Sequence, residues 1–181
     1  MDALHQELSR DIIILEPVFH EKIWGGRRLA EDFGYDIPEG KIGECWAISA
    51  HPHGDCVVAS GAFVGEKLSH LWDVHHELFG DAKGDRFPLL IKILDAHDDL
   101  SVQVHPDDSY AFEHEGEYGK MEMWYILDAE PGAEIIYGFK EEISREECRQ
   151  RIEENTLLDV VRRVKVKAGD AIVIPAGTLH A

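Results

Sequence analysis

The chain has 181 residues, of which 44% are hydrophobic and 30% are charged, a composition typical of a globular protein rather than a disordered or fibrous one. Its 36 acidic and 18 basic residues give a formal net charge of -18, which argues against binding to nucleic acids and to anionic membrane surfaces. A chain of this length can bury a sizeable core, so neither a disulfide nor a metal is needed merely to fold it.

The N-terminal segment carries acidic residues before any apolar run, and its first apolar run is short. It resembles neither a signal peptide nor a membrane span, and it therefore predicts a cytoplasmic protein.

No repeat, low-complexity tract or linker marks an internal boundary, so we predict an N-terminal extension of residues 1–10 and one domain over residues 11–181. The cysteines lack the close paired spacing of a thiolate metal site or redox motif, and we expect them to be reduced and structural: Cys45, Cys56 and Cys148.

Strand-like runs, separated by clusters of Gly, Pro and Asp, recur along the whole chain and favour an all-β sandwich or barrel. They cover residues 12–16, 43–49, 88–95, 99–105, 121–127, 133–138, 163–168 and 171–175. Helical patterns interrupt them at residues 67–78 and 144–163. Ser144 and Glu147 have the spacing of a capping box, which predicts a helix start. We expect both helices to be insertions that pack on a β core.

Two features of the first half of the chain bear on function. His51 and His53 are two residues apart and could share a strand face as a rival metal pair, but the neighbouring glycine and proline favour a loop. We interpret the pair as structural or surface residues, although His51 would line a cleft if the preceding strand enters a barrel.

Lys92 alternates with leucines in a strand that is otherwise apolar, and an unpaired buried lysine is costly. We therefore expect Lys92 to meet a carboxylate or a substrate.

The stretch LSVQVHPDD places Ser101, Gln103 and His105 two residues apart, alternating with apolar residues. In a strand these three polar side chains would share one face. Taken alone, the pattern also fits a strand whose polar face is simply solvated. Asp107 and Asp108 follow at a position where aspartate caps a helix N-terminus, and we prefer that role to metal ligation for both.

The stretch GKMEMWYIL places Lys120, Glu122 and Trp124 on one face of a second strand by the same period of two. If this strand lies near the previous one, Glu122 can complete a shell of nitrogen and oxygen donors with Gln103 and His105. Such a shell suits zinc or a similar divalent ion. A solvated strand face is again the alternative.

The C-terminal run KAGDAIVIPAGTLHA ends in a tight turn followed by His180. A turn after a short strand reverses the chain and would deliver His180 into a barrel interior. The spacing G-x5-P-x-G-x2-H resembles the second conserved motif of the cupin superfamily. Together with IWGGR, GECWAIS, LSVQVHPDD and GKMEMWYIL, it resembles the type I mannose-6-phosphate isomerases over residues 11–181.

The resemblance implies an all-β fold, a cupin (jelly-roll) β-barrel with helical insertions. It also implies a metal-dependent aldose-ketose isomerase that interconverts mannose 6-phosphate and fructose 6-phosphate through an enediol. Its zinc ion, or a similar divalent metal, would be bound by Gln103, His105, Glu122 and His180. Family-like pocket positions match five further residues, of which the first two are candidate catalytic residues and the others candidate substrate-binding residues: Lys120, Glu44, Trp24, Lys92 and Ser101.

Two departures from the family pattern shape these expectations. Met121 stands where the family usually has threonine, and the chain ends one residue after His180, whereas family members typically continue well beyond that point. We therefore expect a C-terminally incomplete barrel that contains the metal site but only part of the active site. Exposed barrel edges would favour self-association.

Two other functions remain open at this stage. One is a non-catalytic sugar-binding or regulatory cupin that retains its metal as a structural element. The other is an iron-dependent oxygenase, because two histidines and one glutamate can form an open iron site. Gln103 as an additional neutral ligand weighs against the oxygenase.

Overall fold

The computed structural model describes residues 12–80 and 82–181, and most of its regular structure is β-strand. The strands are β1 Leu15–Glu16, β2 Val18–Gly26, β3 Ile42–His51, β4 Gly54–Asp55, β5 Val57–Val58, β6 Leu90–Leu94, β7 Glu122–Tyr125, β8 Glu134–Phe139, β9 Val161–Lys165 and β10 Ala171–Ile174. The α-helices are α1 Arg28–Glu31, α2 Leu68–Val74, α3 Asp108–His114 and α4 Arg145–Glu153. Short 3-10 helices cover His76–Phe79 and Leu157–Asp159. Among the residues described, no helix is long and apolar enough to cross a membrane.

The chain contacts divide it into two compact units, an N-terminal unit up to Asp99 and a C-terminal unit of Leu100–Ala181. The assignment of residues 11–181 to a single domain stays a prediction.

In the N-terminal unit, β3 is the central strand and pairs antiparallel with β2, β4 and β6. Cys45 stands opposite Phe19 of β2 and Ile93 of β6, and all three belong to one hydrophobic cluster. Because side chains alternate along a strand, Glu44 and Trp46 project from the other face of β3. The sheet therefore separates an apolar face from a face that carries a buried carboxylate.

The C-terminal unit contains two antiparallel pairs, β7 with β10 and β8 with β9. The last residues of the chain lie between Gln103 and β8, because His180 forms isolated bridges with both Gln103 and Tyr137. The backbone N–H of Ile136 donates to the carbonyl of Ala181 at 2.8 Å, and that of Gly138 donates to Leu179 at 2.7 Å. These bonds place the turn before His180 at a defined position.

The structure corrects two predicted elements and adds one strand. Residues 99–105 do not form a continuous strand: only Gln103 makes a bridge, with aspartates just before this run and Pro106 just after it. The helix predicted over residues 144–163 ends at Glu153, because Asn155 has a positive φ of 56° and the chain then enters β9. The nine-residue strand β2 was not predicted.

Other predictions agree with the structure. The capping role of Ser144 is confirmed, since its side chain accepts a hydrogen bond from the N–H of Glu147 at 3.0 Å. The capping role of Asp107 is also confirmed, since Oδ1 accepts from the N–H of Tyr110 at 2.9 Å. The dominance of strands with a few helical segments agrees with the predicted fold class.

Candidate metal centre

Three side chains of the C-terminal unit form a cluster that could hold a metal ion. One ligand atom from each of His105, Glu122 and His180 lies within 4.8 Å of the other two. His105 Nε2 is 3.2 Å from Glu122 Oε1, and His180 Nε2 is 3.4 Å from Glu122 Oε2. The carboxylate thus lies between two imidazole nitrogens, and each of its oxygens faces one of them.

The turn that brings His180 to this cluster is held by backbone hydrogen bonds. Gly177 has a φ of 81°, a left-handed conformation that favours glycine, and its N–H donates to the carbonyl of His105 at 2.7 Å. Beyond the turn, Gln103 and His180 exchange both backbone hydrogen bonds, at 2.9 and 2.8 Å. Two segments that are distant in sequence are therefore joined directly beside the proposed ligands.

His180 is fully buried, and its two ring nitrogens have different partners. Nδ1 lies 2.8 Å from the carbonyl oxygen of Thr178, and since a carbonyl can only accept, this nitrogen carries the proton. Nε2 makes no hydrogen bond within the part of the chain that the structure describes. A buried Nε2 with a free lone pair beside a carboxylate is the arrangement that a metal ligand requires.

Lys120 supplies a positive charge at the edge of the cluster. Its Nζ lies 2.6 Å from Glu122 Oε1 and 3.2 Å from His105 Nε2. Burial by itself raises the pKa of Glu122, but the hydrogen bond and the charge of Lys120 outweigh it and lower that pKa. Glu122 is therefore an anion at neutral pH.

The segment around α3 fixes Lys120 next to His105. The N–H of Lys120 donates to the carbonyl of Pro106 at 3.0 Å, and the N–H of Gly119 donates to Asp108 Oδ1 at 2.9 Å. A Cβ atom at position 119 would come within 2.3 Å of the Asp107 backbone, so only glycine allows this close approach. The loop after α3 thus closes onto the residues that follow His105.

A second cluster of charged groups lies on the polar face of β3 in the N-terminal unit. Glu44 Oε2 accepts hydrogen bonds from Trp46 Nε1 at 2.8 Å and from Lys92 Nζ at 3.2 Å, and Lys22 Nζ lies 3.8 Å away. The expectation that Lys92 meets a carboxylate is confirmed. Burial alone raises the pKa of Glu44, but the hydrogen bond from Trp46 and the charge of Lys92 lower it overall.

The other sequence-predicted site residues have diverse surroundings. Trp24 is buried in β2, and its carbonyl accepts from the N–H groups of His97 and Asp98, both at 3.0 Å. Ser101 and Gln103 are exposed, and Gln103 joins the cluster through its backbone pairing with His180.

The rival histidine pair forms no cluster of three metal-binding side chains within the described residues. The rings of His51 and His53 lie 4.9 Å apart, and the N–H of His53 donates to His51 Nδ1 at 3.1 Å.

Three residues around Glu44 were not predicted from the sequence: Lys22, His20 and Trp46. The period-two run of His20, Lys22 and Trp24 could have indicated the first two, and the period-two spacing of Glu44 and Trp46 could have indicated the third.

The donors of the cluster fit a divalent metal ion. Two imidazole nitrogens and one carboxylate form a common set for zinc and related ions, and the remaining coordination position can hold an amide oxygen, water or substrate. The buried Nε2 of His180 supports this assignment, because a buried polar atom normally has a partner.

Residues 12–131 match the family described as phosphomannose isomerase type I, catalytic domain. The chain is 54% identical to mannose-6-phosphate isomerase of Streptococcus mutans over 169 residues, which are 93% of this chain and 53% of that protein. The crystal structure of mannose 6-phosphate isomerase from Bacillus subtilis is similar, with a TM-score of 0.88, 53% identity and coverage of 93% of this chain and 54% of that one. This likeness confirms the predicted fold class.

A more distant solved structure, mannose 6-phosphate isomerase bound with zinc and yttrium, shares the fold with a TM-score of 0.67 at 15% identity, over 93% of this chain and 64% of that one. The chain spans about half the length of the curated relatives that it matches.

Proposed function

Because this chain belongs to the phosphomannose isomerase type I family, we propose that it serves the interconversion of mannose 6-phosphate and fructose 6-phosphate. The structural observation that supports this proposal is the cluster of His105, Glu122 and His180, with the lysine Lys120 beside it. An aldose-ketose isomerisation moves a proton between C1 and C2 through an enediol, so it needs a stabilised oxyanion and a group that moves the proton.

We propose that His105, Glu122 and His180 hold a zinc ion, with the amide oxygen of Gln103 as a fourth donor. Zinc is named because the distant structure described above binds it, and because the donor set suits it. When bound, the ion would supply a Lewis acid that stabilises negative charge on substrate oxygens. Glu122 contributes the anionic donor, and the hydrogen bond between His180 and Thr178 orients the imidazole.

The remaining roles belong to charged and polar side chains. Lys120 holds a positive charge where an enediolate oxygen or a phosphate would be stabilised, and its proximity to Glu122 and His105 supports this role. Glu44 is the proposed proton acceptor, and it is buried and ionised, the state in which a carboxylate can accept a proton. Following the family resemblance, Trp24, Lys92 and Ser101 bind the substrate.

A coupled assay of mannose 6-phosphate turnover on the purified protein tests this function. We expect a low turnover that is lost after chelation, restored by added zinc and reduced further in Glu122→Gln. Glu134→Gln is the control, since Glu134 is an exposed glutamate of β8 in the same unit. Binding of the sugar phosphate without turnover would instead favour the non-catalytic sugar-binding alternative.

Two further expectations from the sequence stay predictions. The cytoplasmic location rests only on the character of the N-terminal segment, and self-association rests only on the expectation of exposed barrel edges. Fractionation of cells and the oligomeric state in solution would test them.

A further inference from the structure

Trp46 lies within the charged cluster of the N-terminal unit and contacts two of its charged groups, Glu44 and Lys92. Its indole Nε1 donates to Glu44 Oε2 at 2.8 Å, and Lys92 Nζ lies 4.7 Å from the centre of its ring. Trp46 is buried and stands directly opposite Lys92 in the pairing of β3 with β6. The indole therefore offers its N–H to the anion and the face of its ring to the cation.

These two contacts use different parts of the indole. The indole N–H can only donate, and the ionised carboxylate accepts its hydrogen bond. The electron-rich face of the ring attracts the ammonium group. Lys92 Nζ also donates to Glu44 Oε2 at 3.2 Å, which closes a triangle of three side chains from two strands. In this triangle, the indole limits where the carboxylate and the ammonium can stand.

Close packing in turn fixes the indole. The ring of His20 packs against it with 4.2 Å between ring centroids. A Cβ atom at Gly54 would come within 2.7 Å of Trp46 Cε3 and 3.0 Å of His20 Nε2. Glycine at position 54 is therefore what leaves room for the observed position of the indole.

We propose that Trp46 is a positioning residue, which holds the Glu44 carboxylate through its N–H and the Lys92 ammonium through its ring. This inference rests on the proposed function at one point: it takes Glu44 as the group for proton transfer and Lys92 as a substrate-binding group. The charged and titratable groups around Glu44 are His20 and Lys22 from β2 and Lys92 from β6, and the variants below leave all three unchanged.

The first test is Trp46→Phe, which keeps an aromatic ring and removes the N–H. The pKa of Glu44 is measured by NMR of protein labelled at the glutamate carboxyl carbons, with the resonance assigned by its loss in Glu44→Gln. We expect the pKa of Glu44 to rise by about one unit or more, because a hydrogen bond to a charged group is lost. The acid limb of the pH profile of kcat/KM should move upward by the same amount.

The control is Trp72→Phe, which removes an indole N–H from another buried tryptophan of the same unit. Trp72 packs against Phe79 and Phe87 in an aromatic cluster. We expect this variant to leave the pKa of Glu44 and the acid limb unchanged. An unchanged pKa of Glu44 in Trp46→Phe, or equal shifts in both variants, would overturn the positioning role.

The second test separates the ring from the N–H. Trp46→Leu removes both, so we expect it to raise KM by a further factor of about three to ten over Trp46→Phe, from the lost attraction between ring and ammonium. Gly54→Ala, which displaces an intact indole, should shift the pKa of Glu44 in the same direction and provides the test if the leucine variant does not fold. Equal KM values in Trp46→Leu and Trp46→Phe would overturn the contribution of the ring. If Trp46→Leu does not fold, an unchanged KM in Gly54→Ala would overturn it.

The NMR measurement needs no turnover, so the two proposals can fail separately. Protein that shows the expected shift of the Glu44 pKa but no isomerase activity would refute the proposed function and support the positioning role. Active protein in which Trp46→Phe leaves the pKa of Glu44 unchanged would support the proposed function and refute the positioning role.

Discussion

His180 shows at the scale of one residue how a local contact prepares a ligand. The Nδ1–H of His180 donates to the carbonyl of Thr178, which leaves the lone pair of the buried Nε2 directed toward Glu122. The histidine is thereby fixed in one tautomer before any metal arrives. Glu122 then provides the negative charge, because the hydrogen bond and the charge of Lys120 keep it ionised.

Removing that charge should weaken metal binding strongly. We expect Glu122→Gln to reduce the affinity for zinc by about 100-fold or more, since it removes the only carboxylate of the cluster. The measurement is a titration in competition with a chelator. The double change of His51 and His53 to alanine is the comparison, and a larger loss from that pair would move the site to the rival histidines.

Glu44 should make stability depend on pH. Its pKa in the folded protein lies below its ordinary value of 4.5, so ionised Glu44 stabilises the fold above that value. This contribution disappears as the pH falls from about 4.5 through the lowered pKa. We expect the free energy of unfolding to fall more steeply below pH 4.5 in the unchanged protein than in Glu44→Gln, as measured by urea unfolding. Parallel curves for the two proteins would contradict the argument.

At the scale of secondary structure, the helices α3 and α4 differ in what they position. Asp107 caps α3, which lies between His105 and Lys120, and the loop after α3 closes onto Pro106. Ser144 caps α4, which joins β8 to the segment before β9. The two helices have the same kind of cap, but only α3 is linked directly to the proposed metal centre.

The two caps therefore form a matched pair. We expect Asp107→Ala and Ser144→Ala each to lower the free energy of unfolding by about 1 kcal/mol, because each removes one N-cap hydrogen bond. Only Asp107→Ala should also weaken zinc binding, by several-fold, since it loosens the segment that holds His105 and Lys120. Chemical unfolding and chelator competition measure the two effects, and equal zinc affinities in both variants would rule out a role of α3 in the site.

For the molecule as a whole, metal binding and folding should be coupled. A folded protein that binds zinc gains stability by mass action, about 2.7 kcal/mol when free zinc exceeds the dissociation constant 100-fold. We expect the melting temperature to rise with zinc and to fall with a chelator, and Glu122→Gln to show almost none of this change. A zinc-dependent rise of equal size in Glu122→Gln would show that the ion binds elsewhere.

Sequence alone was sufficient wherever the information is local. A cap acts within three residues of itself, so Asp107 and Ser144 could be recognised without any tertiary contact. Motif spacing likewise indicated the family. The period-two runs identified His105 and Glu122 as candidates, and the spacing of the C-terminal turn identified His180. The partner of Lys92 could be predicted as a type of group, because a buried ammonium requires an anion.

The tertiary structure decided everything that depends on which segments meet. Residues 99–105 have the pattern of a strand, yet only Gln103 finds a partner, because strand structure requires a neighbouring chain to bond with. β2 has a mixed polar pattern and becomes a strand through its pairing with β3. The distances within the metal cluster, and those from Lys92 to Glu44 and Trp46, have the same origin, because they join residues far apart in sequence and only the folded chain brings such residues together.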